Sequence, residues 1–246
     1  VPEPGPAPAT QARFNSTHWS VVLAAGGSSS VAGREALEQL CRTYWQPVYA
    51  FIRRTGANGP DAADLTQAFF ADLLRDNSFA RAERTRGRFR SFLIGALKHF
   101  LADEQDRANA VKRGGRAELV SLDSHLAESR YGDATATGEP PDLAYDHAWA
   151  LSVLDRALKR LREEFDLSGR GPLFDGLKGF LTGDKKSASY AAAAKELRIT
   201  AGAAKMTVTR MRQRFRPLIR QELAQSVLTA EELDEELRTF AAILRS

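Results

Sequence analysis

The sequence predicts an all-α protein: two small helical domains joined by an acidic linker, the second containing a helix-turn-helix. Three observations carry that expectation. No stretch alternates apolar and polar residues as a half-buried strand does, whereas apolar side chains recur at three- and four-residue spacing through most of the chain. Residues 117–142 differ in composition: Glu118, Asp123, Glu128, Asp133, Glu139 and Asp142 stand against Arg130 alone, with Gly, Thr and a Pro140-Pro141 pair, as in a linker. The stretch from Ser189 to Arg220, SYAAAAKELRITAGAAKMTVTRMRQRFRPLIR, reads as a helix, a tight turn and a second, strongly basic helix.

In chain order, residues 1–30 form a flexible N-terminal tail. The opening VPEPGPAPATQ is Pro-rich and lacks the basic start and apolar centre of a signal peptide, and residues 1–16 are expected to be disordered. THWSVVLAA, 17–25, is a short apolar strap or first helical turn. A helical domain is expected over 31–116. Its first helix carries Leu37, Leu40, Cys41, Tyr44, Val48, Phe51 and Ile52 on one stripe, with a kink at Pro47. After the GANGPD turn, Asp61 is placed to cap a second helix in which Leu65, Phe69 and Leu73 face inward and Asp64, Gln67 and Ala71 outward. An arginine-rich connection (Arg81, Arg84, Arg86, Arg88, Arg90) leads to a long helix over about 89–110. Phe92, Leu93, Ala96, Leu97, Phe100 and Leu101 give it a broad apolar face, and Gly114 and Gly115 stop it.

The acidic linker is set at 117–144 and the second domain at 145–226, beginning with an amphipathic helix through Trp149, Val153, Leu154, Ala157, Leu158 and Leu161. In the helix-turn-helix, Ala192, Ala193, Leu197 and Ile199 give the first helix a buried side, and Gly202 is expected to relax the backbone at the turn. Ala204, Val208, Met211 and Phe215 share one face of the basic helix. Opposite stand Met206, Thr209 and Gln213, flanked by Lys205, Arg212 and Arg216 on one side and Arg210 and Arg214 on the other. Two cationic rows around a polar ridge suit a helix lying in a DNA major groove; a solvated basic helix is the other reading. No Asp or Glu falls between Gly202 and Gln221, so pairing along the helix does not account for the arginines.

The last segment, 227–246, is an acidic amphipathic helix opened by a Thr229-x-x-Glu232 capping box. Its stripe of Leu233, Leu237, Phe240 and Leu244 has to dock, on the second domain or on the first. Carboxylates facing arginines such as Arg216 and Arg220 would let it gate DNA access, and a plain extra core helix is the other reading.

The formal charge is +4, but basic residues gather at 81–116 and 205–220 while the segment between and the end of the chain lean acidic, which suggests separate surfaces for a polyanion. A single cysteine, Cys41, excludes a disulfide framework and fits a reducing, cytoplasmic setting, and no apolar run approaches the ~20 residues of a membrane span. His18, His99, His125 and His147 are scattered. Neither metal spacing, nor a phosphate loop, nor a nucleophile constellation is present, so no catalytic residue, no metal and no cofactor is assigned, and the chain is not expected to be an enzyme.

Three motifs in order carry a resemblance over nearly the whole chain. DAADLTQAFFADLL, GRFRSFLIGALKHFLADEQDRANAVKRGG and the helix-turn-helix with Tyr190, Gly202, Ala203, Ala204 and Lys205 resemble region 2 and region 4 of the extracytoplasmic-function sigma factors of bacterial RNA polymerase, small sigma-70 relatives. THWSVVLAA and YWQPVYAFIRR are similar to a branch common in planctomycetes and related bacteria.

The resemblance implies a sigma factor that binds the polymerase core and recognises -10 and -35 promoter elements, with an anti-sigma factor or another regulator as a further partner. It implies that Asp64, Gln67 and Phe70 meet the polymerase; an exposed first-turn carboxylate is the plainer reading of Asp64. Arg88, Arg90, Lys98, Arg107, Lys112 and Arg113 would follow the -10 strand, and Phe92 and His99 stand where many relatives carry Trp and Asn. His99 would then alter the base preferred, although a histidine among apolar neighbours also serves as a structural residue. At the -35 element Lys205, Met206, Thr209 and Arg210 would reach bases, and Arg212, Arg214 and Arg216 phosphates. A helix-turn-helix regulator that does not join polymerase is the alternative, and it leaves the region 2 motifs without a role.

Overall fold

The computed structural model describes residues 18–24, 31–75, 89–111, 138–182 and 189–245, and all regular structure among them is helical, as the spacing predicts. The elements are α1 (His18–Ala24), α2 (Val31–Arg54), α3 (Gly59–Arg75), α4 (Phe89–Val111), α5 (Pro141–Leu167), α6 (Gly171–Leu177), α7 (Gly179–Thr182), α8 (Tyr190–Glu196), α9 (Ala201–Ala224) and α10 (Ala230–Ile243). None is long and apolar enough to cross a membrane among the described residues. The segments read as a disordered start (1–16) and as the body of the acidic linker (117–137) lie outside the described residues.

The described chain separates into two compact units, one drawn from residues up to Ser152 and again from Leu223, the other from Val153–Glu222. The boundaries fall inside α5 and α9. α5 begins at Pro141, inside the segment 117–144 read as linker: a proline in the first helical position loses no hydrogen bond, so the Pro140-Pro141 pair starts a helix where composition reads as linker.

In the first unit α1 and α3 pack on α2. The expected stripe of α2 is buried, and Pro47 sits within the unbroken helix. At the start of α3 the cap is Asn58, not Asp61. The Asn58 Oδ1 accepts from the Asp61 N–H (2.8 Å) and the Asn58 amide donates to the Asp61 carboxylate (2.9 Å), so the two share the helix start reciprocally. Phe69 meets Phe100 of α4 edge-on at 5.6 Å, and Tyr44 of α2 meets Phe89 of α4 at 5.0 Å.

The C-terminal residues complete this unit. The Phe89 N–H, in the first turn of α4 where no helical carbonyl can reach it, donates to the Ser226 carbonyl at 3.0 Å. The capping box at Thr229 forms as predicted, with its Oγ1 accepting from the Glu232 N–H, while the Glu232 carboxylate accepts from Leu228 N–H instead of Thr229. Leu233 and Phe240 are buried, and Phe240 meets Trp149 of α5 edge-on at 5.9 Å. Burial of each such side chain contributes about 1.5–3 kcal/mol.

The second unit has one core, in which Ala157, Leu161 and Phe165 of α5, Phe174 and Leu177 of α6, Ala193 and Ala194 of α8, and Ala204, Val208, Met211 and Leu218 of α9 pack together. Gly176 permits a close approach in it: a Cβ there would lie 2.8 Å from a Leu197 methyl, so the Leu197 side chain at the end of α8 would have to shift to admit one. Polar ties reinforce the frame. Arg156 and Arg160 of α5 both donate to the Glu222 carboxylate, at 3.0 and 2.9 Å.

Candidate nucleic-acid interface

Two helices and the turn between them present the basic surface of the second unit. Ser189 caps α8 through its Oγ, and α8 ends after Glu196. The chain then reverses at Arg198, whose φ of 55° is left-handed. The Ile199 N–H donates to the Ala194 carbonyl (2.9 Å) and the Arg198 N–H to the Lys195 carbonyl (3.3 Å), the paired bonds that close a Schellman turn. Thr200 then caps α9, its Oγ1 accepting from the Ala203 N–H at 3.1 Å. The sequence reading of Gly202 as the turn residue is therefore corrected: Gly202 is the second residue of α9, and the strained position belongs to Arg198, whose side chain gives no hint of it.

Along α9 the side chains sort by angle. Ala204, Val208, Met211 and Leu218 are buried, while Lys205, Met206, Thr209, Arg210, Arg212, Gln213, Arg214 and Arg216 are exposed. At about 100° per residue, Arg212 and Arg214 lie roughly 80° to either side of the buried stripe, nearer the core than the other cations. Their contacts follow from that position. Arg212 donates to the Phe180 carbonyl at 2.7 Å, and Arg214 grips Glu164 of α5 with its Nε and Nη2 at 2.8 and 2.6 Å. The bond from Arg214 holds the Glu164 carboxyl below the usual carboxylate range, and Glu164 in turn raises Arg214. Read from sequence as phosphate contacts, these two arginines already have partners within the unit.

The remaining face is open. Met206 is 56% exposed. Arg210 and Arg216 make no ion pair or hydrogen bond with another described residue, and Lys205 lies 5.9 Å from the ring of Tyr190, which stacks on Phe180 at 4.2 Å. Thr209 donates its hydroxyl to the Lys205 carbonyl, which leaves its oxygen lone pairs facing outward as acceptors. A cationic edge with an apolar tip and hydroxyl or amide acceptors is the chemistry that a duplex groove takes.

The first unit treats its expected site residues unequally. Arg90 is not an exposed cation: its side chain is 12% exposed, bonded to Asp146 of α5 and Glu236 of α10, and its guanidinium lies 4.6 Å over the Trp149 ring. Burial works against that charge, but Glu236 and Asp146 outweigh it and leave the guanidinium more firmly protonated than usual. Arg90, expected on the -10 strand, is thus drawn into the core of the first unit with its guanidinium paired. Lys98, His99 and Arg107 of α4 are exposed, Lys98 bonded to Asp142 (2.7 Å) and Arg107 to Glu104 (2.5 Å). His99 thus has solvent around it instead of the apolar neighbours that its sequence position suggests, and Phe92 is half-buried. On α3, Gln67 is exposed and Asp64 partly so, whereas Phe70 is buried against Trp45, stacked at 5.8 Å, and is corrected from a contact residue to a core one. Arg88, Lys112 and Arg113 lie outside the described residues.

Glu164, Asp146, Glu236 and Arg198 are the positions that sequence reasoning missed. The three carboxylates pair over separations of 50, 56 and 146 residues, which leave no periodic signal in the sequence. Comparison with known proteins found no matching protein-family model, no matching curated sequence and no matching solved structure.

Proposed function

We propose that the chain is a sigma factor of the extracytoplasmic-function type, acting in the cytoplasm without catalytic chemistry or cofactor. It joins the bacterial RNA polymerase core and directs it to promoters with particular -10 and -35 elements. The observation that carries the reading is the open face of α9, where Lys205, Met206, Thr209, Arg210 and Arg216 stand clear behind a tight turn. Lys205, Met206, Thr209 and Arg210 read bases of the -35 element and Arg216 takes a phosphate, while Arg212 and Arg214 fix the helix in its unit. Lys98, His99 and Arg107 meet the -10 strand, and Asp64 and Gln67 meet the polymerase, with Phe70 supporting them from behind. Supporting this assignment is the order of the motifs, which gives α3 and α4 a task that a helix-turn-helix regulator would not need.

A regulator that does not join polymerase is separated by one comparison. Purified chain is titrated against fluorescent promoter duplex and, separately, against bacterial core polymerase. A sigma factor binds core tightly and duplex weakly when alone; tight, sequence-selective duplex binding with no affinity for core would move the assignment to the regulator.

A further inference from the structure

Arg214 is exposed on the cationic flank of α9, yet the Nε and Nη2 edge of its guanidinium is taken. Its Nε lies 3.1 and 2.8 Å from the two Glu164 oxygens and its Nη2 2.6 Å from the first, so the planar fork is filled by a planar carboxylate. A DNA phosphate presents oxygens of the same charge sign and spacing to the same fork. The two side chains remain 48% and 38% exposed, so the pair sits where a phosphate could reach it.

We propose that Glu164 is an internal stand-in for a DNA phosphate that holds Arg214 away from the backbone and so lowers the affinity of the free chain for DNA of any sequence. The proposal rests on α9 being a duplex-binding helix. Base-reading positions on the open face are untouched by the pair, whereas one phosphate contact, which every sequence offers alike, is lost. Affinity for every sequence therefore falls by the same factor, while the ratio between sequences, set by the base-reading face, is kept. Other acidic groups near α9 are placed differently: Glu222 is held by Arg156 and Arg160, and Glu163, next to Glu164, is exposed and makes no ion pair among the described residues.

The test is fluorescence anisotropy of the full chain on a random-sequence duplex over a salt series, with circular dichroism to confirm that each variant is folded. Glu164→Gln is expected to tighten binding several-fold and to steepen the salt dependence by about one released ion. Adding Arg214→Ala should abolish both gains, and Arg214→Ala alone should leave the wild-type slope unchanged. Glu163→Gln, which removes the same charge one residue away, should leave the slope unchanged. A Glu164→Gln variant with unaltered or weaker binding overturns the proposal, and so does a gain that survives Arg214→Ala or is matched by Glu163→Gln. Those results leave the DNA-binding reading standing. Absence of duplex binding in every variant at low salt overturns both.

Discussion

Arg90 donates from its Nε to the Oε1 of Glu236 at 3.1 Å, joining the first turn of α4 to α10 across 146 residues of chain. Glu236 is fully buried, so its charge depends on this partner for compensation. Its buried carboxylate faces Arg90 within the first unit, and Phe240 lies beside Trp149, so α10 contributes to the core of that unit.

Glu236→Ala should therefore destabilise the first unit by about 2–3 kcal/mol, because it removes one of the two carboxylates on Arg90 and opens a cavity, while Asp146 keeps the guanidinium paired. Glu236→Gln, which keeps the shape and one hydrogen bond, should cost less. Urea unfolding followed by Trp fluorescence reads both, and an Ala variant as stable as wild type would show that the pair carries no weight.

Arg198 occupies a left-handed backbone position that glycine adopts without steric cost. Arg198→Gly should stabilise the second unit by about 0.5–1 kcal/mol, the left-handed strain being partly offset by glycine's greater entropy when unfolded. A thermal melt of the full chain checks this; a fall in the transition temperature would mean that the arginine side chain supports the turn.

The all-α class, the helix runs and the cationic face were legible because they depend on local spacing. Gly202 illustrates the limit: the sequence points to glycine as the turn residue, while the Schellman hydrogen bonds place the reversal four residues earlier at an arginine. Arg90 illustrates another. A basic residue in a basic run reads as solvent-facing, and only folding brings Asp146 and Glu236 to it. Arg212 and Arg214 stand at the flanks of the exposed face, but their inward partners, Phe180 and Glu164, come from other helices and carry no signature at helical spacing.

The open and tied arginines of α9 should behave differently on DNA. Arg210→Ala should lose about 1–3 kcal/mol of discrimination between a matched and a scrambled -35 sequence. Arg212→Ala should weaken both sequences alike, through loss of the tie to the Phe180 carbonyl. Competition binding with the two duplexes measures the difference, and equal losses for Arg210→Ala would place that side chain on phosphate.

Burial, with Glu38 adding to it, pushes the Cys41 thiol up to about 12. The thiolate needed for alkylation is therefore scarce at neutral pH. Native protein should react with iodoacetamide far more slowly than a model thiol at pH 8, and at the ordinary rate in denaturant. Rapid labelling of the folded chain, followed by mass spectrometry, would contradict the packing of Cys41 in α2.

Reconstituted transcription tests the central claim most directly. Bacterial core polymerase, the purified chain and a library of genomic promoter fragments are combined, and the 5′ ends of the transcripts are mapped. The account predicts discrete start sites that share upstream sequence at the -10 and -35 positions and that diminish with Arg210→Ala. Transcript ends no more frequent or focused than those of core alone would contradict it.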